Sequence, residues 1–106
     1  MAQDYDVKIL SKNIYSADVD IYAPCALGST LNTHTIKRLK CQIIAGAANN
    51  QLQDEERDAN LLLKKDILYA PDFLINAGGL INVYSELQGY NKEESLRKTT
   101  EIYNTT

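Results

Sequence analysis

Apolar and polar positions along this chain form short segments that predict strands alternating with helices. The most apolar run, residues 42–50, contains Ile43, Ile44 and Gly46 and predicts a buried parallel strand with close neighbours on both faces. Further apolar runs predict strands at residues 18–23 and 67–70, whereas residues 7–10 are too short to form more than a small strand. This alternation indicates parallel pairing with right-handed crossovers, so all strand carboxyl ends should share one edge.

Two helices are predicted between these strands. A short helix centred on residues 35–39 is expected, with Asn32 or Thr33 as its cap. A second helix is expected from Asp54 to about Lys65, because acids suit the positive end of the helix dipole and lysines the negative end. Its predicted buried face consists of Ala59, Leu62 and Leu63. The other acids of its first turn are expected to be solvated: Glu55, Glu56 and Asp58.

Two more helices are predicted after residue 76. The first should end at Gly89. Its apolar face consists of Leu80, Ile81, Tyr84 and Leu87. The last should begin at Asn91, because an asparagine with Glu94 three residues later is typical of a capped start, and should reach about Tyr103.

Two strands end in near copies of one motif. Residues 21–24 are Ile-Tyr-Ala-Pro and residues 68–71 are Leu-Tyr-Ala-Pro. Beyond the second proline, Asn76 precedes Gly78 and Gly79 at the start of a helix, where glycines let the backbone approach a ligand and a carboxamide both donates and accepts hydrogen bonds. The alternative is a purely structural connection between strand and helix.

Three loops should meet at the carboxyl edge of the sheet although they are distant in sequence. They are residues 25–28, 48–50 and 76–79. Ligands of parallel α/β sheets bind along this edge, so the sequence predicts a binding site there.

Composition excludes several other classes of function. A chain of 106 residues is one domain, and its net charge of −3 gives no basic stripe for nucleic acid. No apolar run approaches the length of a membrane span, which predicts a soluble, cytoplasmic chain without a membrane partner. Cys25 and Cys41 match no metal-ligand spacing and are expected to be reduced thiols. His34 is expected to be a surface or capping residue, and Tyr22, Tyr69 and Tyr84 to pack in the core.

Residues 20–28, 44–52 and 69–83 resemble, in the same order, blocks of the amino-acid dehydrogenase superfamily of glutamate, leucine, phenylalanine and valine dehydrogenases. The likeness is greatest to the leucine dehydrogenase branch, and it runs from about Val7 to the end of the chain. It implies an α/β fold, a partial Rossmann-like parallel sheet with flanking helices. Residues 1–106 would be a single partial NAD-binding domain, the second half of a dinucleotide-binding domain.

The resemblance also implies an activity. Family members use NAD to convert an L-amino acid to a 2-oxo acid and ammonia by oxidative deamination, in a cleft between a substrate domain and a dinucleotide domain. Carried over by motif, Ala26 and Leu27 would line the cofactor, and Asn49 or Asn50 would lie near the nicotinamide ribose and the substrate. Asn76 would hold the nicotinamide amide.

The same resemblance places Leu80 and Val83 against the substrate side chain, and apolar walls there favour a branched aliphatic amino acid over glutamate. The family's catalytic lysine and aspartate, its second substrate-binding lysine, its Gly-rich phosphate loop and the acid that binds the ribose all lie upstream of the matched blocks. None has a counterpart in this chain. No catalytic residue is therefore assigned here, and no metal ligand.

The resemblance also implies three kinds of partner. They are the N-terminal part of the same enzyme, the amino-acid substrate and, in a homo-oligomer, further copies of the chain. Alone, the chain is expected to be inactive and to bind NAD weakly or not at all. The alternative is a non-catalytic binding or protein-interaction module that retains the half-fold.

Overall fold

A parallel sheet with helices around it forms the fold, as the sequence predicts, and the sheet has three strands within the described residues. The structure, a computed structural model, describes residues 7–10 and 12–106. Its strands are β1 (Ile21–Tyr22), β2 (Ile43–Ile44) and β3 (Leu68–Tyr69), in the order β1-β2-β3. Ile43 is in register with Ile21 on one side and with Leu68 on the other. The near-copy motifs therefore occupy equivalent places on the two strands that flank β2.

Five α-helices and one short 3₁₀ turn complete the described part of the chain. The 3₁₀ turn is Ile14–Ser16. The α-helices are α1 (Thr33–Ile36), α2 (Glu55–Lys64), α3 (Asp72–Ile75), α4 (Gly78–Leu87) and α5 (Lys92–Thr105).

The core lies around the central strand, because β2 has a strand on each side. Ile44 is fully buried. Its cluster also contains Leu31, Ile36, Leu39, Cys41, Leu62 and Ile67. Tyr22 and Tyr69 are half-buried and pack against this cluster, which confirms their predicted role. Tyr84, in contrast, is exposed, so the prediction that it packs in the core was wrong.

The strands are shorter than predicted. The run at residues 42–50 forms a ladder only at Ile43–Ile44, because Gly46 packs against Pro24 and the backbone turns there into a loop. The segment 18–23 is likewise a strand only at Ile21–Tyr22. Residues 7–10, which the sequence predicts to be at most a small strand, form no strand, and all four are exposed.

The first helix begins at Thr33, directly after Asn32, which is one of its two predicted caps. The Oδ1 of Asn32 accepts hydrogen bonds from the backbone N–H groups of His34 and Thr35 at 3.0 and 3.1 Å. Thr35 completes a reciprocal capping box by accepting from the Asn32 N–H. Asn32 is therefore the cap, and α1 ends after a single turn at Ile36. His34 is exposed, as predicted.

The buried face of α2 differs from the predicted one. Leu62 is almost fully buried, but Ala59 and Leu63 are exposed and line a groove beside β3. Asp58 occupies the inward position instead, one turn before Leu62. A helix of this length covers only a narrow stripe of the sheet, and positions 58 and 62 form that stripe.

Asp58 is a fully buried carboxylate, which contradicts its predicted solvation. Its Oδ2 accepts from the Asp54 N–H and from Arg57 Nη2, both at 2.9 Å, and its Oδ1 accepts from Arg57 Nε at 2.9 Å. The hydrogen bonds from Arg57 lower the pKa of Asp58, against the opposing effect of burial. Glu55 and Glu56 are exposed, as predicted, and Asp54 caps the helix through the Arg57 N–H.

The lowered pKa of Asp58 predicts a loss of stability in acid. When the pKa of a carboxylate is lower in the folded state than in the unfolded state, the carboxylate stabilises the fold at any pH above the unfolded-state pKa. This contribution disappears as the pH falls through the folded-state pKa. We expect Asp58→Asn to destabilise the chain at neutral pH by about 1 to 3 kcal/mol, because a donor then faces Arg57 or the Asp54 amide. The variant should also lose stability less steeply below about pH 4.

Urea unfolding across that pH range measures both effects. Glu56→Gln is the matched control, since Glu56 lies exposed in the same turn. Identical pH profiles for Asp58→Asn and the unmodified chain would contradict this role of Asp58.

The two C-terminal helices form as predicted. Asn91 caps α5 by accepting from the Glu94 N–H at 3.1 Å, and the helix continues to Thr105, slightly beyond the predicted end. Gly89 follows α4 with a φ of +84°, a conformation that glycine adopts readily. The apolar side of α4 is largely uncovered: Leu80 is 74% and Leu87 79% exposed. Among the described residues, no helix combines the length and apolarity needed to cross a membrane.

Candidate functional site

The loops after β1 and β2 lie against each other at the carboxyl edge. The Ala48 N–H donates to the Pro24 carbonyl at 2.9 Å, and the Ser29 N–H donates to the Asn50 carbonyl at 2.7 Å. Gly28 lies so close that a Cβ there would be 2.8 Å from the carbonyl oxygen of Asn49. These contacts bring the first two predicted loops together.

The third loop joins them through a pair of asparagines. Asn76 Nδ2 donates to Asn49 Oδ1 at 2.7 Å, across 27 positions of sequence. A second link is close by, because the Gln51 N–H donates to Asp72 Oδ2 at 2.8 Å. The predicted convergence of the three loops is therefore confirmed, and the direct Asn49–Asn76 contact defines the centre of the candidate site.

Asn49 and Asn50, which the sequence left as alternatives, have different local roles. The Asn49 side chain faces Asn76. Asn50 has a left-handed φ of +50°, which asparagine tolerates better than most residues, and its carbonyl holds the loop after β1. Both side chains are exposed. The geometry therefore favours Asn49 as the partner of Asn76 and Asn50 as the residue that makes the turn.

Ala26 and Leu27 lie on the exposed loop after β1. They line a cavity of about 440 Å³ together with Tyr15, Tyr22 and Thr30. Leu27 is 74% exposed, so an apolar surface is available there to a flat ligand. Their predicted contact with a cofactor stays a prediction, but their position beside the loop of Asn49 fits it.

Leu80 and Val83 lie three residues apart on α4, and so on one side of that helix. Val83 is 55% exposed. The helix begins directly beyond Asn76, separated from it by Ala77. This surface is apolar and open, so it could form one wall of a pocket for an apolar side chain. The predicted contact with the substrate stays a prediction.

Sequence reasoning missed the two residues that brace the asparagine pair. Gln51 is fully buried, and its Nε2 donates to the carbonyls of Gly46 and Ala48 at 2.7 and 2.9 Å. Asp72 begins α3, after Pro71 as its cap. A proline followed by an acid is a typical helix start, so α3 had a sequence signal. Nothing in the sequence distinguishes Gln51 from a solvated loop residue.

Burial raises the pKa values of two groups that pack beside the sheet. Burial raises the pKa of Tyr22 to about 12, with Tyr15 contributing in the same direction. Burial also raises the pKa of the Cys41 thiol. Cys25 and Cys41 are free thiols, as predicted. Within residues 7–10 and 12–106, no cluster of histidine, cysteine and acidic side chains suits a metal ion.

Comparison with known proteins identifies the family. The model of the Glutamate/Leucine/Phenylalanine/Valine dehydrogenase family matches residues 2–104. The chain belongs to this dehydrogenase family. The L-tryptophan dehydrogenase of Nostoc punctiforme is 60% identical over 92 residues, which are 87% of this chain and 26% of that protein. The leucine dehydrogenase of Bacillus subtilis is 59% identical over 91 residues, which are 86% of this chain and 25% of that protein.

A solved member of the family has the same fold. The crystal structure of the L-tryptophan dehydrogenase from Nostoc punctiforme superposes with a TM-score of 0.83 at 60% identity, over 87% of this chain and 28% of that one. The chain thus spans about a quarter of the length of the family members it matches. The resemblance to the amino-acid dehydrogenases is confirmed.

Proposed function

We propose that this chain supplies part of the active site of an NAD-dependent amino-acid dehydrogenase, which oxidatively deaminates an apolar L-amino acid to a 2-oxo acid and ammonia. The observation that carries the proposal is the contact between Asn49 and Asn76 at the carboxyl edge of the sheet. Relatives named leucine and tryptophan dehydrogenases match the chain around these residues. The remaining three quarters of such an enzyme would provide the catalytic lysine and aspartate.

The groups present fit the nicotinamide end of the cofactor. A carboxamide such as that of nicotinamide needs a donor and an acceptor, and an asparagine side chain offers both. Bound there, NAD would supply the hydride acceptor that the oxidation of the amino acid requires. In this proposal Asn76 orients the nicotinamide amide, while Asn49 holds Asn76 and lies beside the ribose and the substrate. A fixed orientation lowers the barrier because the reacting groups are already aligned.

The apolar residues would exclude water and select the substrate. Ala26 and Leu27 form the surface next to the cofactor, and Leu80 and Val83 face the substrate side chain in the proposed assembly. An aliphatic wall binds a branched aliphatic side chain and leaves a carboxylate without a partner. We therefore propose a branched-chain L-amino acid as the preferred substrate. A cytoplasmic location and a homo-oligomeric state belong to the same proposal.

A chimera tests this function. Residues of this chain would replace the matching segment in the L-tryptophan dehydrogenase of Nostoc punctiforme, which is 60% identical over 92 residues. We expect the chimera to form NADH with leucine or valine, and the 106-residue chain alone to form none above a blank. The chain alone lacks the general acid–base groups of the reaction.

The chimera's fold is verified by circular dichroism before the assay, and the parent dehydrogenase is the positive control. Turnover by the isolated chain would contradict the proposal. A folded but inactive chimera would favour the alternative, a non-catalytic binding module.

A further inference from the structure

The two segments that carry the asparagine pair are joined at two points. One link is the hydrogen bond from Asn76 Nδ2 to Asn49 Oδ1, and the other is that from the Gln51 N–H to Asp72 Oδ2. Asn49 and Gln51 are two residues apart on the loop after β2, and Asp72 and Asn76 lie at the two ends of the single turn α3. One link alone would leave the segments able to pivot, whereas two links fix both their distance and their angle.

The hydrogen bond from the Gln51 N–H to Asp72 Oδ2 is the stronger of the two links. Asp72 is half-buried, and its carboxylate forms a charge-assisted hydrogen bond with a backbone N–H of a fully buried residue. Its second oxygen accepts from the Phe73 N–H at 2.7 Å, and the Asn76 N–H donates to the Asp72 carbonyl at 3.0 Å. Asp72 therefore holds the β2 loop with its side chain and Asn76 with its backbone.

Hydrogen bonds also hold the β2 loop on its other side. The Gln51 side chain binds the Gly46 and Ala48 carbonyls from within, and the Gln51 carbonyl accepts from the Leu31 N–H at 3.0 Å. Asn49 is therefore fixed relative to β1 and β2. The half-buried Asn76 depends on α3 for its place, and α3 is attached to the loop through Asp72.

We propose that Asp72 is a positioning residue, which sets the geometry of the Asn49–Asn76 pair for ligand binding. It does not touch the reacting atoms and acts through Asn76. This inference rests on the proposed function only in its catalytic consequence, because the positioning of Asn76 is measurable in the chain itself.

The first test is independent of activity. In the 106-residue chain, NMR follows the side-chain amide protons of Asn76, which are expected to show the low temperature dependence of a hydrogen-bonded group. Asp72→Ala should shift them to the behaviour of a solvated asparagine, and Asp72→Asn, which keeps an acceptor for the Gln51 N–H, should restore part of the protection. Glu93→Ala is the matched control, because it removes a first-turn carboxylate from α5. Unchanged Asn76 amide protons in a folded Asp72→Ala chain would overturn the proposal.

The second test measures kcat and KM in the chimera. Asp72→Ala is expected to lower kcat/KM on the order of 10²-fold, as a displacement of about 1 Å in a site can do. Asn76→Ala should cause a similar loss, and the double variant should lose no more than Asn76→Ala alone, because Asp72 acts through Asn76. Multiplicative losses in the double variant, or an equal loss in Glu93→Ala, would overturn the proposal. An inactive chimera with the expected NMR result would reject the proposed function and leave the positioning role intact.

Discussion

Replacing Gly46 with alanine is expected to destabilise this chain by about 3 kcal/mol or more, the upper range for an overpacked interior. A Cβ at this position would overlap the Pro24 carbonyl oxygen and would lie 2.5 Å from the Pro24 nitrogen and 2.6 Å from its Cδ. Backbone and a proline ring cannot move aside like the end of a flexible side chain. The Pro24 carbonyl also accepts from the Ala48 N–H, so a displacement breaks the contact that holds the first two loops together.

Gly79→Ala is the matched control, since no atom lies within 4 Å of a Cβ placed there. Gly79 is inside α4, where alanine is favoured over glycine by up to about 1 kcal/mol. Urea unfolding of both variants measures the difference. Equal stabilities would show that the loops after β1 and β2 can separate without cost, which would also weaken the case for a rigid site.

Much of this site was predictable because parallel strands place their carboxyl ends together. The prolines at 24 and 71 mark where β1 and β3 end, and the asparagines and glycines beyond them indicate loops that a ligand can approach. These local features can be recognised in short stretches of consecutive residues. The convergence of the three loops then follows from the parallel arrangement of the strands.

The burial of the polar side chains of Asp58 and Gln51 could not be predicted in the same way. Glu55, Glu56 and Asp58 look alike in the sequence, as acids in the first turn of one helix. Only Asp58 is buried, because the Asp54 N–H and the Arg57 side chain meet there. Gln51 is buried for a similar reason, since the carbonyls of Gly46 and Ala48 turn inward to meet it. Such partners are set by tertiary packing and leave no periodic signal.

The apolar side of α4 illustrates the reverse case. Its spacing correctly predicted which residues share a face, but spacing does not determine whether the face is covered. The chain has an accessible surface of 8125 Å², whereas a compact protein of its mass exposes about 6,000 Å². Its radius of gyration is 16.2 Å, against about 13 Å for a compact domain of this length. The excess surface is of the size that protein interfaces bury.

This excess, together with the uncovered edge of β1, leads us to expect that the isolated chain associates. In the strand order usual for this fold, β1 would have a further strand on its outer side. Within the described residues β1 pairs only with β2, and Ile21 is 56% exposed. An open edge flanked by apolar residues is a template for another chain. A symmetric dimer is the simplest assembly that would bury this edge.

One substitution on β1 and a matched substitution on β3 test whether the dimer forms through β1. Ile21→Lys places a charge on the edge strand β1 and should yield a monomer, because a lysine on an edge opposes pairing. Leu68→Lys is the matched variant on β3: Leu68 is 68% exposed and is in register with Ile43, as Ile21 is. If β1 is the interface, Leu68→Lys should still dimerise.

Light scattering over a dilution series measures the mass of each chain. We expect the unmodified chain and Leu68→Lys to have twice the monomer mass at micromolar concentration, and Ile21→Lys to have the monomer mass. The competing arrangement is one in which residues 7–10 fold back over β1; these residues are exposed and unpaired in the structure, which argues against it. A folded monomer of the unmodified chain at micromolar concentration would refute the dimer and favour that self-capping arrangement, whereas loss of the dimer in Leu68→Lys alone would move the interface to β3.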